Sequence, residues 1–318
     1  MKNHMKLLVT GGAGFIGSNF IRYILGKYPE YEVINLDKLT YAGNLDNLSD
    51  IAGNPRYEFV KGDIADRKLV YDLASQTDVI VNFAAETHVD RSIDDPTPFL
   101  TTNVIGTQVL IESALKNKHQ RYIQISTDEV YGDTEEGFFT EESKLKPSSP
   151  YSASKAAGDM LVLASVRTYD LPAVISRCSN NYGAYQFPEK VVPFFIKKLM
   201  NGEKVPLYGN GSNVRDWLHV TDHCRAVDLI LHKGKVGEVY NVGANNEHSN
   251  LEITKKMLEI LGLPEDRIEF VKDRPGHDIR YAIDATKIKS ELGWKPSVDF
   301  ENGFRDTVLW YKNLFSNT

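Results

Sequence analysis

Short runs of β-branched and aromatic residues alternate along the chain with longer stretches whose apolar positions recur at helical spacing. That rhythm predicts repeated strand and helix units around a parallel sheet. Lys6 to Val9, Glu32 to Asp37, Tyr57 to Lys61, Val79 to Ala84, Tyr122 to Thr127 and Ala173 to Cys178 read as strands. Phe15 to Tyr28, Lys68 to Ser75, Phe99 to Lys118 and Tyr151 to Tyr169 read as the helices between them. The expected fold is α/β with a doubly wound parallel sheet, whose ligands meet the carboxyl ends of the strands. After Cys178 the rhythm loosens around Gly, Pro and Asn, as in Tyr208-Gly209-Asn210-Gly211-Ser212 and Asp273-Arg274-Pro275-Gly276-His277. No Ser/Pro-rich linker divides the halves. Residues 1–178 are expected to form the main sheet domain, joined by about 215–243 through a strand such as Val239 to Val242. Residues 179–318 would form mainly a smaller, loop-rich C-terminal substrate lobe, closed by an amphipathic helix from Phe300 to Phe315.

With 318 residues, 42% hydrophobic and 25% charged, the chain can bury a core without a disulfide or metal staple. A net charge of -6 gives no footprint for nucleic acid, whose partners concentrate excess Lys and Arg. Cys178 and Cys224 are too few for a secreted disulfide framework, and a reducing cytoplasm fits them best. Behind Met1 to Lys6 only Leu7 to Val9 are apolar, far short of a signal-peptide core or a membrane span, so neither export nor membrane insertion is expected. His219 and His223 share a helix spacing with Asp222 nearby. They lack a third ligand, Thr221-Asp222 reads as a helix start, and no metal is expected.

The first strand runs directly into Gly11-Gly12-Ala13-Gly14-Phe15-Ile16-Gly17 and then a helix. Gly11 permits the turn, Gly14 admits a pyrophosphate to the backbone, and Gly17 allows close helix–strand packing. The second strand ends in Asp37, twenty residues past Gly17, where a carboxylate accepts hydrogen bonds from adenosine ribose hydroxyls. Together these describe a dinucleotide site. Asp37 repels a 2′-phosphate and favours NAD over NADP, and Lys38 softens that preference without reversing it. Asp63-Ile64 either meets the adenine edge or is an ordinary turn after Gly62. The small residues of Asn82 to Ala85 either let a cofactor lie close or merely reflect burial.

Tyr151 and Lys155 stand four residues apart at a helix start, hence on one face. A nearby ammonium favours phenolate; bringing a tyrosine from about 10 toward 7 takes on the order of 4 kcal/mol. Such a group can take a sugar hydroxyl proton as hydride leaves for NAD. The fifth strand ends in Thr127-Asp128-Glu129, which puts a hydroxyl and two carboxylates at the sheet edge. Thr127 can bond the oxygen being oxidised, while the adjacent acids need different environments to act as acid and base. The alternative is a solvated acidic loop with Asp133, Glu135 and Glu136.

Gly11 to Gly17, Asn82-Phe83-Ala84-Ala85-Glu86-Thr87-His88-Val89-Asp90-Arg91-Ser92, Thr127-Asp128-Glu129 and the Tyr151/Lys155 pair resemble the extended short-chain dehydrogenase/reductase family. More narrowly, the chain resembles the dTDP-glucose 4,6-dehydratases. The resemblance runs nearly end to end, through Ser179 to Lys190, Arg215 to Val220 and Asp273 to His277. The Tyr/Lys pair marks only the superfamily. Thr-Asp-Glu marks the dehydratase, because related sugar-nucleotide epimerases generally lack the Asp-Glu step and GDP-mannose dehydratases usually show Thr-Ser-Glu.

The resemblance implies a Rossmann sheet, a tightly bound NAD regenerated each turnover, a small-molecule sugar nucleotide as substrate, and a homodimer through Phe99 to Lys118 and Tyr151 to Tyr169. Its product would be dTDP-4-dehydro-6-deoxyglucose, a first step toward deoxysugars such as dTDP-rhamnose. Catalytic roles fall on Thr127, Asp128, Glu129, Tyr151 and Lys155. Cofactor contacts fall on Gly11, Gly14, Phe15, Ile16, Gly17, Asp37, Lys38, Asp63, Ile64, Phe83, Ala84 and Ala85, with Thr102, Tyr151, Lys155 and Asn181 on the nicotinamide side. Substrate contacts fall on Thr87, His88, Thr127, Asn180, Lys190, Val191, Pro206, Leu207, Tyr208, Arg215, Asn250, Asp273, Arg274, Pro275, Gly276 and His277. Arg215 and Arg274 suit a bidentate grip on a substrate pyrophosphate, or an ordinary surface ion pair. Thr87 stands where the family usually has Ser and keeps the hydroxyl. Ala184 stands where it usually has Pro, which is expected to loosen that loop. Other readings of the same residues are a CDP-glucose dehydratase, an epimerase or decarboxylase on this scaffold, and a non-catalytic NAD-binding scaffold.

Overall fold

The computed structural model describes residues 4–273 and 278–316. Seven strands form one parallel sheet: β1 (Met5–Thr10), β2 (Tyr31–Asp37), β3 (Tyr57–Lys61), β4 (Val79–Asn82), β5 (Arg121–Thr127), β6 (Ala173–Cys178) and, entering later in the chain, Val239–Val242. In space the order is Val239–Val242, β6, β5, β4, β1, β2, β3. The order reverses at β1, which lies between β2 and β4 and so opens a crevice at its carboxyl end.

Alternation along β1 shows why both faces are covered. Leu7 and Val9 join the core beneath helices Phe15–Lys27 and Val220–Lys233, whereas Leu8 joins the opposite core with Val109, Leu110 and Val162. A strand buried on both sides must be apolar almost throughout, as β1 and β4 are.

The remaining strands build the smaller lobe. They are β7 (Asn180–Tyr182), β8 (Val205–Tyr208), β9 (Val214–His219), then β10, the Val239–Val242 strand already placed, β11 (Glu247–Ser249) and β12 (Ile268–Val271). β7, β9 and β11 make a three-stranded sheet, and β8 pairs with β12. Tyr182, Phe195, Trp217, Met257, Phe304 and Tyr311 fill a third core there. Helix Phe300–Ser316 closes it.

Two elements differ from their sequence reading. The fourth strand stops at Asn82 rather than Ala84, leaving Phe83 to Glu86 outside regular structure at the crevice. The stretch read as one helix from Phe99 to Lys118 is a short turn at Thr97–Phe99, a π-helical segment Leu100–Gly106 and an α-helix Thr107–Lys116. Apolar periodicity cannot distinguish π from α winding. Here the wider turn carries Thr102 to the crevice and Asn103 inward, and π segments of this kind concentrate at functional sites.

Candidate active site

Two cavities meet at the carboxyl edge of the sheet. The first follows the β1–β4 crevice and the second opens into the smaller lobe; Thr87, Glu129, Asn180 and Lys190 line both. Two ligands, one in each cavity, would therefore meet beside these four residues.

The glycine turn has the geometry its spacing implied. Gly11 has φ +70°, and a Cβ there would come 2.5 Å from the Ala84 amide nitrogen. A Cβ on Gly17 would come 2.8 Å from Gly12 Cα. At Gly14 the nearest atom to such a Cβ is Gly11 O at 3.3 Å, and Gly14 caps helix Phe15–Lys27 with no side-chain hydrogen bond and no acid in the first turn. Amides at a helix start that borders an open cavity fit a pyrophosphate. Phe15, Ile16, Phe83, Ala84 and Ala85 continue the wall.

Asp37 ends β2 with its carboxylate buried, accepting hydrogen bonds from Ala13 N at 2.9 Å and Leu39 N at 2.8 Å. Burial raises its pKa, and the two amides oppose that shift. Lys38 and Asp63 both reach the same cavity and pair with each other at 2.7 Å, beside Ile64. These residues fit the adenosine half of NAD.

At the other end, β5 stops at Thr127, whose hydroxyl accepts from Glu129 N at 3.3 Å and donates to Asp128 Oδ1 at 3.2 Å. One turn thus aims two acids differently. Asp128 is 2% exposed, and its Oδ2 has no hydrogen-bond partner among the described residues. Burial, then the charges of Glu129 and Asp216, push its carboxyl well above the usual carboxylate range. Glu129 stands where the two cavities join.

Helix Pro150–Tyr169 begins with a reciprocal cap: Ser149 Oγ accepts from Ser152 N at 3.1 Å, and Ser152 Oγ accepts from Ser149 N at 3.0 Å. This fixes the first turn and with it Tyr151, which lines the cofactor cavity together with Lys155, Thr127, Asp128 and Glu129. Lys155 Nζ donates to Ile125 O at 2.6 Å. Burial, followed by the Glu129 charge, raises Tyr151 well above its ordinary value, and the Thr127 hydrogen bond acts against that. Burial also lowers Lys155, which Asp159 partly counters. Burial penalises both charged forms.

On the substrate side, Thr87, His88, Asn180, Lys190 and Val191 line the second cavity, with Pro206 to Tyr208 on β8, Arg215 on β9 and Asn250 at its helix start. Thr102 and Asn181 line the first. Arg215 already donates to the carbonyls of Val214 and Asp278, at 2.7 and 3.0 Å, which leaves only part of its fork for a ligand. Asp273 lies beside Gly209, off the described walls of both cavities. Arg274, Pro275, Gly276 and His277 lie outside the described residues. At the Ala184 turn, Asn19 donates to Ala184 O at 3.1 Å, and Tyr311 OH donates to Gly183 O at 3.1 Å.

Sequence reasoning passed over Glu86, Asn103, Cys178 and Tyr281. Glu86 lines the cofactor cavity. Asn103 ties the crevice to helix Pro150–Tyr169, accepting from Glu86 N at 3.0 Å and donating to Ser154 Oγ at 2.8 Å. Cys178 ends β6 in the cavity wall, its thiol pushed up to about 12 by burial. Tyr281 lines the second cavity with the Arg215 guanidinium 4.2 Å over its ring. Only its nearness in sequence to Asp273 to His277 could have flagged it. Among the described residues no three His, Cys, Asp or Glu side chains are grouped to hold a metal; His219 caps helix Val220–Lys233, and His223 bonds Asn181 at 3.1 Å.

The profile of the GDP-mannose 4,6 dehydratase family matches residues 8–307. The chain is 56% identical to the low-salt glycan biosynthesis protein Agl12 of Haloferax volcanii, over 96% of this chain and 98% of that one. It is 52% identical to a dTDP-glucose 4,6-dehydratase of Streptomyces niveus, over 97% of this chain and 93% of the relative. The structure of the dTDP-glucose 4,6-dehydratase DesIV of Streptomyces venezuelae, with NAD and TYD bound, superposes with a TM-score of 0.95 at 50% identity and 97% coverage of each chain. A matching profile and relatives aligned over nearly their whole length agree: the chain belongs to the GDP-mannose 4,6 dehydratase family.

Proposed function

We propose that this protein is an NAD-dependent dTDP-glucose 4,6-dehydratase that forms dTDP-4-dehydro-6-deoxyglucose. The observation that carries the reading is that Tyr151, Thr127, Asp128 and Glu129 line one cavity, with Glu129 also at its junction with the second. Gly11, Gly14, Gly17 and Asp37 would hold the dinucleotide. When bound, NAD supplies the acceptor for the C4 hydride, the donor that returns it to C6, and an oxidised ring whose positive charge favours phenolate. Tyr151, with Thr127 on the same oxygen, takes the C4 hydroxyl proton, and Lys155 fixes the helix turn beneath it through Ile125 O. The resulting C4 ketone acidifies the C5 hydrogen. Glu129 removes that proton, and Asp128, kept protonated by its burial, gives its own to the departing C6 hydroxyl. A proton then returns to C5.

The same proposal assigns residues 1–178 with 215–243 mainly to NAD and the rest of 179–318 mainly to the sugar nucleotide, with Thr87, Asn180, Lys190 and Arg215 at the substrate. It also makes the protein a cytoplasmic homodimer through the stretches Phe99 to Lys118 and Tyr151 to Tyr169, where Leu100, Ile105 and Met160 expose apolar side chains. Mass spectrometry of dTDP-glucose incubated in heavy water tests the chemistry. Loss of one water with one deuterium at C5 is expected, and Glu129→Gln should keep NAD yet stop C5 exchange. Unchanged mass with inverted stereochemistry would make the protein an epimerase. Preference for a CDP-, UDP- or GDP-hexose over dTDP-glucose would overturn the nucleobase assignment.

A further inference from the structure

The β2–β3 register places Asp37 opposite Lys61, so the residues just beyond, Lys38 and Asp63, emerge side by side at the adenosine end of the cleft. Lys38 Nζ lies 2.7 Å from Asp63 Oδ2, with 54% of the lysine side chain and 27% of the aspartate exposed. Such an ion pair contributes little to folding. Its importance is local, because Lys38 is the cation next to the buried Asp37 carboxylate and a free ammonium there would attract a 2′-phosphate. Asp63 Oδ1 also accepts from Ala65 N at 2.9 Å, which fixes the carboxylate in the turn rather than leaving it to swing away. Glu86, on the cavity wall, adds a third acid acting on Lys38.

We propose that Asp63 is a specificity-determining residue which, by holding the Lys38 ammonium, keeps it from a 2′-phosphate and so secures selection of NAD over NADP. This rests on the dinucleotide reading of the cleft. Lys38 is therefore a latent NADP determinant, silent while the pair is intact. Asp63→Asn keeps the shape and the acceptor for Ala65 N, removes the charge and releases the lysine.

The test exchanges the purified wild-type protein and the variants D63N, K38Q and D63N/K38Q against equimolar NAD and NADP, removes free nucleotide, and quantifies the retained dinucleotides by mass spectrometry. The ratio of NADP to NAD should rise about 3- to 10-fold in D63N, the range of a partly exposed charge-assisted contact. In D63N/K38Q it should return to within about twofold of K38Q, since the two side chains act as one unit. An unchanged ratio in D63N would overturn the proposal. An equal rise in D63N and D63N/K38Q would also overturn it, because the Asp63 charge itself would then be the repelling element. Wild-type protein retaining neither dinucleotide would overturn the cofactor assignment, and this inference with it.

Discussion

Replacing Asp128 with Asn should stabilise the protein while removing its acid. Asp128 is 2% exposed, Thr127 donates to Oδ1 at 3.2 Å, and Oδ2 has no hydrogen-bond partner among the described residues. Burial, with Glu129 and Asp216, holds the folded pKa well above the ordinary value, against the Thr127 hydrogen bond and Arg215. The folded state thus keeps a proton that the unfolded chain, titrating near about 3.9, releases at neutral pH. A native state that binds more protons loses stability as pH rises. The proton's contribution is fully present below the unfolded carboxylate range and is lost as pH climbs through the raised folded value. The variant escapes this loss, because an amide does not ionise and does not meet the charges of Glu129 and Asp216 as a second carboxylate would. Leaving a buried oxygen unpartnered costs about 1–3 kcal/mol. That is the gain expected for Asp128→Asn at pH 8, a rise of roughly 2–6 °C in melting temperature for a chain of this size. The assay is thermal melting of both proteins with saturating NAD at pH 5, 6, 7 and 8, alongside dehydration rates, which should fall about 10²- to 10⁴-fold. The stability gain should shrink toward pH 5. A variant less stable at pH 8, or a difference independent of pH, would refute the reasoning.

Gly17→Ala would press a methyl against the backbone at Gly12; a loss of about 1–3 kcal/mol and a lower NAD content, read from melting and the ratio of absorbance at 260 and 280 nm, are expected. Full cofactor content would mean the turn can yield. Asp159→Asn would leave the buried Arg177 charge without its counterion, now bonded at 2.9 Å. A loss of about 3–5 kcal/mol should move the urea midpoint, and a change under about 1 kcal/mol would place the pair with ordinary surface bridges.

Within the sequence, the order of strands and helices was legible because each element needs only its own periodicity to bury a face. The glycine turn was legible for the same reason, since Gly11, Gly14 and Gly17 act within a few residues of one another. Thr127-Asp128-Glu129 and Tyr151/Lys155 could be named from residue type and position at an element's end. Their electrostatics could not. The sign of the Tyr151 shift depends on how much protein covers the phenol and on Glu129, 22 positions earlier in the chain. Asn103 could be recognised only once the π segment turned it toward Glu86 and Ser154, and Tyr281 only once its ring lay under Arg215. Lys38 shows the division most plainly. Its charge was visible in the sequence, but its pairing with Asp63 follows from the register of two strands. Local sequence set which groups were present, and tertiary packing set their burial and partners, because desolvation and long-range contact are properties of the folded chain as a whole.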